Sequence, residues 1–459
     1  MLSPLGCLTL SPGKCLSECS LPDGLPPDLD NNSTGRLPVS GHFFWRSMLA
    51  SPDHEAKPSV LILGASTRAA AQSALRAGLS PMCADLFADR DLAHCAPVLE
   101  VAHYPHGLVV VAAAAPPAPW LYTGGLENHP RIVEEISLAR TLWGNAGDVL
   151  RQVRDPWHVA DLLAAQGLPA CRVWPRARPA PGADGNWMLK PLRGAAGRGI
   201  RIWDVRGSEC ATHHEPHYYQ ERRAGAPVSA VFLAVPRRTI LLGITRQLVG
   251  MPEVHAPPFA WCGTITPIEL PVESTAAIRR VGDVLSRQTR LRGLFGCDFI
   301  LDHSEPWLTE VNPRYPASAE LVERVLHIPL LDWHRRACES FDDSRHTFVI
   351  PDDCATRPGS FAGPVSTANH CRSVLGKIVL YARRDLTAPD AIRFVRGPSP
   401  FDESRQLDTS LPYMADIPTP GTRILRGQPI CTLFARAASE RECLEKLIRR
   451  AARFESRIP

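Results

Sequence analysis

The stretch that decides the fold is GCDFILDHSEPWLTEVNPR, residues 296–314. Two runs rich in apolar residues, 296–301 and 307–312, stand on either side of the turn-like segment 302–305. Short runs of this kind that are separated by a few polar residues are typical of a β-hairpin. We therefore expect two antiparallel strands here, joined by a tight turn.

The hairpin predicts a metal site. If it is centred near Ser304, Asp298 lies opposite Glu310, and Asn312 shares the face of Glu310 because side chains alternate between faces. Two carboxylates that face each other in a partly buried sheet repel unless a cation lies between them. Carboxylate and amide oxygens are the ligands that hold Mg²⁺ beside phosphates. The alternative is that Asp298 and Glu310 are ordinary surface carboxylates.

A second informative stretch is WMLKPLRGAAGRGI, residues 187–200. Lys190 lies at the end of a predicted strand, and Gly194, Gly197 and Gly199 follow it. Such closely spaced glycines let backbone amides approach phosphate oxygens, and the lysine adds a positive charge. The stretch predicts a phosphate-binding flap, but not a Walker A loop, because no Gly-Lys-Ser/Thr sequence opens a helix. A flexible hairpin with a surface lysine is the alternative.

Together these motifs resemble the ATP-grasp superfamily, nearest to its biotin-carboxylase and carbamoyl-phosphate-synthetase branch and to predicted ATP-dependent carboligases. The resemblance covers about residues 58–340 and rests on Lys190 with its flap, on Gln220-Glu221, and above all on Asp298 followed by EVNPR. It implies two antiparallel-sheet subdomains that enclose ATP, with Mg²⁺ or Mn²⁺ bridging the phosphates. It also implies that the γ-phosphate passes to a carboxylate, which gives an acyl phosphate.

The resemblance implies a role for each site residue. The catalytic residues are Lys190 and Arg314; the nucleotide contacts are Lys190, Gly194, Gly197, Gly199, Gln220, Glu221 and Arg154; the metal ligands are Asp298, Glu310 and Asn312. Family members usually carry a second nucleotide lysine just before the helix that begins here at Pro156, so Arg151 or Arg154 has to replace it. Pro227 stands where many ligases have an acid for the ribose, which leaves the ribose contacts unassigned.

The composition excludes several classes of protein. Of the 459 residues, 44% are hydrophobic and 21% charged, as in an ordinary globular protein. A net charge of +4 is too small for a nucleic-acid partner. No apolar run is long enough to span a bilayer and no signal peptide is recognisable, so we expect no membrane partner and a cytoplasmic location. The 14 cysteines include no CxxC pair, which predicts free thiols.

The order of predicted elements divides the chain into four regions. They are a flexible leader (1–56), an N-terminal α/β domain (57–145), an ATP-grasp domain (146–345) and a C-terminal β-rich domain (346–459). The predicted fold class is α/β and α+β: an open α/β domain, two antiparallel-sheet subdomains that enclose ATP, and a small β-rich domain. Within the first domain the apolar run GLVVVAAA, residues 107–114, is predicted to be a strand.

The predicted function is that of an ATP- and Mg-dependent ligase. It would activate a small-molecule carboxylate as an acyl phosphate for attack by an amine, which forms an amide-type C–N bond. A bicarbonate-dependent carboxylase is one alternative, although no biotinyl-lysine MKM segment is present to receive CO₂. A catalytically inactive ATP-binding regulatory protein is another, because the nucleotide lysine that usually precedes the Pro156 helix is missing. The sequence names neither substrate, and it is compatible with a homodimer.

Overall fold

The computed structural model describes residues 59–206, 216–342, 348, 373–389 and 411–457. The predicted leader lies outside these residues. None of the helices that they form has the length and apolar character needed to cross a membrane.

The N-terminal region is an open parallel sheet with strand order β3-β2-β1-β4. The first two strands are buried along their whole length, as expected when helices cover both faces of a parallel sheet. The strands are β1 (Val60–Gly64), β2 (Pro81–Asp85), β3 (Val98–Glu100) and β4 (Trp120–Tyr122). The helices are α1 (Arg68–Arg76), α2 (Arg90–Cys95), α3 (Gly107–Ala114) and α4 (Pro130–Ser137).

The strand predicted for GLVVVAAA is wrong, because these residues form helix α3. Only Leu108 and Ala112 are buried in it, and their spacing of four residues marks one face of a helix. Val110, which a fully buried strand would cover, is 46% exposed. A short apolar run does not show whether its buried residues repeat with the spacing of a helix or of a strand. The prediction therefore rested on the β-propensity of the valines and was wrong.

The middle of the chain contributes two antiparallel sheets. The smaller one has the order β6-β5-β7, and the predicted flap connects β5 to β6. The larger one has eight strands in the order β12-β11-β8-β9-β10-β13-β17-β15. Three of them come from the C-terminal region: β13 (Val374–Tyr381), β15 (Met414–Ala415) and β17 (Pro429–Ala437). The strands from this part of the chain are β5 (Asp184–Pro191), β6 (Arg201–Asp204), β7 (His217–Glu221), β8 (Ala226–Val235), β9 (Arg238–Val249), β10 (Trp261–Thr266), β11 (Gly293–Asp302) and β12 (Glu305–Asn312).

Among the described residues, the helices that accompany these sheets are α5 (Gly147–Val153), α6 (Pro156–Ala164), α7 (Val272–Thr289), α8 (Ala319–Leu326) and α9 (Leu330–Asp342). Asp155 caps α6, since its carboxylate accepts hydrogen bonds from the backbone amides of Trp157 and His158. Helix α7 places Ile278 and Leu285 in one core with Phe295 of β11. This packing fixes the strand that carries Asp298.

The C-terminal region is β-rich, as predicted, and most of its strands extend the large sheet. Strand β13 pairs directly with β10, with Lys377 opposite Thr264. All described residues fall within one compact unit, residues 40–459. The elements are β13 (Val374–Tyr381), β14 (Leu386–Thr387), β15 (Met414–Ala415), β16 (Arg423–Ile424), β17 (Pro429–Ala437) and α10 (Glu440–Glu455), of which β14 and β16 pair only with each other.

A buried ion cluster joins the three regions. Glu320, at the start of α8, is fully buried and pairs with Arg68 of α1. Nζ of Lys377 on β13 lies 2.8 Å from Oε2 of the same carboxylate. Burial alone would raise the pKa of Glu320, but the two cations outweigh it and hold this pKa well below its usual range. The cluster anchors α8 and, with it, the loop that carries Arg314.

Candidate active site

Asp298 and Glu310 face each other across the β11–β12 hairpin, as the sequence predicted. The turn is tighter than expected, because Asp302 pairs directly with Glu305. A β-bulge then leaves Thr309 without a cross-strand partner and restores Glu310 to the position opposite Asp298. Bulges of this kind often re-aim side chains next to active sites.

The bulge connects the hairpin to the smaller sheet. The Thr309 carbonyl oxygen accepts hydrogen bonds from Nε2 of Gln220 at 3.1 Å and from Nζ of Lys190 at 3.4 Å. Nζ of Lys190 also donates to Oε1 of Gln220 at 3.1 Å. Burial would lower the pKa of Lys190, but Tyr218 and Glu310 outweigh it and raise this pKa. Lys190 is therefore a buried cation at the junction of the two sheets.

The two carboxylates differ in their surroundings. Oδ1 of Asp298 accepts a 2.8 Å hydrogen bond from Gln247, and Oδ2 accepts one of 2.9 Å from Asn312. Burial and the charge of Glu310 raise the pKa of Asp298 to about 6. Burial acts in the same direction on Glu310, but Arg154 outweighs it, so the pKa of Glu310 lies below its usual value. The pair thus shows the like-charge repulsion that a cation would relieve.

Arg154, at the C-terminal end of α5, reaches the candidate metal site. Its Nη1 donates to Oε1 of Glu310 at 2.6 Å and to the Val311 carbonyl at 3.0 Å. Arg151 instead pairs with Glu134, and its side chain is 49% exposed. Of the two arginines considered as replacements for the missing lysine, Arg154 is the one that lies at the site.

Arg314 is held by a buried carboxylate that sequence analysis missed. Its Nε lies 3.1 Å from Oε1 of Glu127, and its Nη2 donates to Oδ1 of Asn312 at 3.2 Å. Glu127 is only 2% exposed and belongs to the 3₁₀ turn Leu126–Asn128, which follows β4. The signal in the sequence is a glycine pair before this turn. Gly125 has φ 102°, and a Cβ there would lie 2.4 Å from the Tyr104 hydroxyl.

A cleft opens between the smaller sheet and the hairpin. Its empty space, including the part open to solvent, is about 670 Å³. Val159, Ala160, Ala170, Cys171 and Leu308 give part of its lining an apolar character. The predicted site residues that line it are Arg154, Lys190, Gly194, Gly197, Gln220 and Glu310. A cleft with apolar and cationic parts has the properties that a nucleotide requires.

The other predicted residues lie outside the cleft lining. Asp298 pairs with Glu310, Asn312 donates a hydrogen bond to Asp298, and Arg314 donates one to Asn312. Gly199 lies in the flap. The Glu221 side chain contacts Arg172 and Arg223 instead of the cleft. It is on the opposite face of β7 from Gln220, because successive side chains of a strand alternate. Sequence adjacency therefore did not place both members of the Gln220-Glu221 pair in the cleft.

The donor set fits a divalent cation of the Mg²⁺ or Mn²⁺ type. Within the described ranges, no three His, Cys, Asp or Glu side chains are grouped to hold a metal on their own. Asp298 and Glu310 supply two carboxylates, Asn312 supplies an amide, and Oε2 of Glu310 makes no hydrogen bond to the described part of the chain. Such a partial oxygen shell is usual where phosphates complete the coordination.

Comparisons with known proteins identify a domain family and a fold. Residues 153–318 match the ATP-grasp domain family, whereas no curated protein matches the chain by sequence. The fold is similar to that of pyruvate carboxylase from Rhizobium etli, with a TM-score of 0.60, 15% identity and coverage of 86% of this chain and 37% of that one. The chain thus spans little more than a third of that enzyme.

Two further solved structures are similar over most of their own length. Biotin carboxylase from Campylobacter jejuni has a TM-score of 0.58 at 13% identity, with 84% of this chain and 89% of that chain covered. L-amino acid ligase from Bacillus licheniformis has a TM-score of 0.59 at 13% identity, with 86% and 98% covered. At such identities the likeness shows the fold alone. The chain therefore contains an ATP-grasp domain, and its fold is that of the ATP-grasp superfamily.

Proposed function

We propose that this protein is an ATP-dependent ligase that activates a small-molecule carboxylate as an acyl phosphate and transfers the acyl group to an amine. The observation that carries the proposal is the convergence of charges around one cleft. Asp298 and Glu310 form a carboxylate pair on the hairpin, and Lys190, Arg154 and Arg314 surround it. Phosphoryl transfer depends mainly on positioning and on neutralising charge, which is what such a group of residues supplies.

The cationic side chains are assigned to two tasks, binding the phosphates of ATP and stabilising the acyl phosphate. Lys190 and Arg154 line the cleft with the flap glycines, so they would bind the phosphates of ATP. Arg154 takes the place of the lysine that is usual in the superfamily. Mg²⁺ or Mn²⁺ held by Asp298, Glu310 and Asn312 would supply the remaining positive charge for transfer of the γ-phosphoryl group.

Arg314 is assigned to the acyl phosphate. Its guanidinium is fixed between Asn312 and the buried Glu127, and it does not line the cleft. In the first step a substrate carboxylate oxygen bonds to the γ-phosphorus, and the bond to the β–γ bridging oxygen breaks to release ADP. In the second, the amine bonds to the acyl carbon, the C–O bond breaks with its electron pair leaving on phosphate, and the proton that the amine loses passes to the released phosphate.

One alternative keeps specific support. Biotin carboxylase and pyruvate carboxylase are among the structural neighbours, which favours bicarbonate as the activated acid. An inactive ATP-binding protein is the third candidate, because the usual nucleotide lysine is missing. Arg154 lies in the cleft and offers a cation in place of that lysine, which supports the ligase instead.

The test is ADP and phosphate release by the purified protein with Mg-ATP over pools of carboxylic acids, amino acids, amines and bicarbonate. We expect release that needs both an acid and an amine. Release with bicarbonate alone would replace the ligase by the carboxylase. Tight ATP binding without release in any pool would support the regulatory protein instead.

A further inference from the structure

The short turn Leu126–Asn128 contacts both ends of the candidate active site. Glu127 contacts Arg314, and Asn128 contacts Arg154 and the flap. We propose that this turn of the N-terminal sheet is a positioning element in which Asn128 latches the flap over the cleft while Glu127 orients Arg314. The role of Glu127 rests on the proposed function, whereas the latch stands on geometry alone.

The side-chain amide of Asn128 both accepts and donates hydrogen bonds. Its Oδ1 accepts hydrogen bonds from Nη2 and Nε of Arg154, at 2.9 and 3.2 Å. Its Nδ2 donates to the carbonyl oxygens of Gly194 at 3.1 Å and Arg193 at 3.3 Å. Nη2 of Arg154 also lies 3.3 Å from the Gly194 carbonyl. Asn128, Arg154 and the base of the flap therefore form a closed triangle of hydrogen bonds.

Backbone contacts hold the tip of the flap. The Trp261 amide donates to the Ala196 carbonyl at 3.2 Å. Gly197 lies so close to residue 259 that a Cβ there would be 1.9 Å from the Phe259 carbonyl oxygen. Asn128 and Arg154 thus both hold the base of the flap, and Asn128 comes from outside the matched ATP-grasp region, residues 153–318.

Glu127 and Asn128 are neighbours in the chain, so their contacts with Arg314 and Arg154 are coupled. Asn128 is 8% exposed and Glu127 is 2% exposed, so neither side chain can turn aside into solvent. A shift of the turn moves the partners of Arg154 and Arg314 together. Closure over the nucleotide and orientation of the acyl-phosphate arginine therefore depend on one segment.

The latch is tested by limited trypsin digestion of the full chain without ligands. Arg193 and Arg198 are exposed in the flap, and cleavage after them requires local opening. We expect Asn128→Ala to speed cleavage at these two sites about tenfold, because several hydrogen bonds are lost at once. Asn128→Asp keeps the acceptor for Arg154 but loses both donors to the flap, so it should also speed cleavage. Asn186→Ala, an exposed amide on β5, serves as the control.

Unchanged cleavage after Arg193 and Arg198 in Asn128→Ala would overturn the latch. If Asn128→Ala shows no cooperative thermal transition, it is not folded, and the rates of cleavage after Arg193 and Arg198 in Asn128→Asp test the latch in its place. Cleavage that also accelerates in the Asn186→Ala control would equally count against a specific latch. None of these readings needs turnover, so the latch and the proposed ligase activity fail independently.

The division of roles is tested by kinetics with the acid and amine found in the screen. Asn128→Ala should raise the KM for ATP about tenfold with a small effect on kcat, whereas Glu127→Gln should lower kcat and leave this KM nearly unchanged. A merely structural role would move both parameters in both variants. That outcome would overturn the division, as would a change in the KM for ATP confined to Glu127→Gln.

Discussion

Nη1 of Arg154 lies 2.6 Å from Oε1 of Glu310, so a fixed cation is paired with a carboxylate proposed to bind the metal. The arginine side chain is 13% exposed and the glutamate side chain 31%, which leaves Glu310 open on the cleft side. One oxygen of Glu310 is thus neutralised by the protein, and the other remains available to a divalent cation. Glu310 would therefore contact both Arg154, a proposed nucleotide ligand, and the proposed metal ion.

Removal of the Arg154 guanidinium should weaken ATP binding. Arg154→Ala is expected to lower ATP affinity at least about tenfold, because a cation proposed to bind the phosphates is lost and Glu310 is left beside Asp298 without its partner. Arg154→Lys should recover only part of the affinity, since a lysine cannot bridge Glu310, Val311 and Asn128 at once. Isothermal titration with Mg-ATP measures both effects.

The control for this series is Arg151→Ala. Arg151 pairs with Glu134 on the surface, so its loss should leave ATP affinity unchanged. Equal losses of affinity in Arg151→Ala and Arg154→Ala would contradict the assignment of Arg154 as the replacement for the missing lysine.

Glu310→Gln should abolish turnover while ATP still binds. The substitution removes one ligand charge from the proposed metal site, and a loss of kcat of about 10²- to 10³-fold is the usual scale for such a group. ADP release and nucleotide binding, measured on the same preparation, separate the two effects. Glu305→Gln, at the exposed start of the same strand, should behave like the wild type. Full turnover in Glu310→Gln would remove this residue from the chemistry.

The flap glycines offer a matched pair of substitutions. Gly197 and Gly199 have φ 79° and 76°, so alanine carries a similar backbone cost at both positions. Only at Gly197 would the new Cβ meet backbone, 1.9 Å from the Phe259 carbonyl oxygen; at Gly199 the nearest atom is Cγ of Pro191 at 3.3 Å. Gly197→Ala should therefore raise the KM for ATP clearly more than Gly199→Ala. Equal values would mean that docking of the flap tip is not needed.

A buried histidine predicts loss of stability in mild acid. Nδ1 of His334 accepts a hydrogen bond from the Leu294 amide at 2.8 Å, and Nε2 lies 3.1 Å from the Trp143 carbonyl, so the ring is neutral. Burial lowers its pKa from 6.5 to about 4. The unfolded chain therefore binds a proton more readily than the folded one, and stability is lost as the pH falls from 6.5 towards 4. The neutral His334 ring contributes up to about 3 kcal/mol to the free energy of unfolding near pH 7.

Urea denaturation at several pH values tests this. His334→Gln should be less stable than the wild type at pH 7, and the difference should shrink as the pH approaches 4. His303→Gln, at a ring that is 97% exposed, is the control and should follow the wild type. A constant difference between His334→Gln and the wild type across this range would show that His334 does not titrate in the predicted window.

The candidate metal site could be predicted from sequence because its key residues lie close together in the chain. The pairing of Asp298 with Glu310 is confirmed, although the turn is tighter than predicted and the bulge at Thr309 compensates for it. Nothing in the sequence marks that bulge, since strand pairing depends on backbone geometry. The metal role of these residues stays a prediction.

Contacts between distant segments could not be predicted from sequence. Glu127 and Asn128 reach Arg314 and Arg154 only after the first sheet has packed against the hairpin, and no local pattern encodes that approach. The same holds for β13, which was expected in a separate C-terminal domain but pairs with β10. The error at α3 was different in kind, because there the local pattern itself was ambiguous.

The pairing of β10 with β13 also has a consequence for synthesis of the chain. Strand β13 emerges from the ribosome only after residues 267–373, and until then one edge of β10 has unpaired backbone groups. Long-range strand pairing is slow, and an uncovered edge favours association with other chains. Nascent chains arrested at increasing lengths should become resistant to protease only when β13 and β17 have both emerged. Completion of the region that contains the candidate cleft is therefore expected to depend on about the last fifth of the chain, from residue 374 onwards.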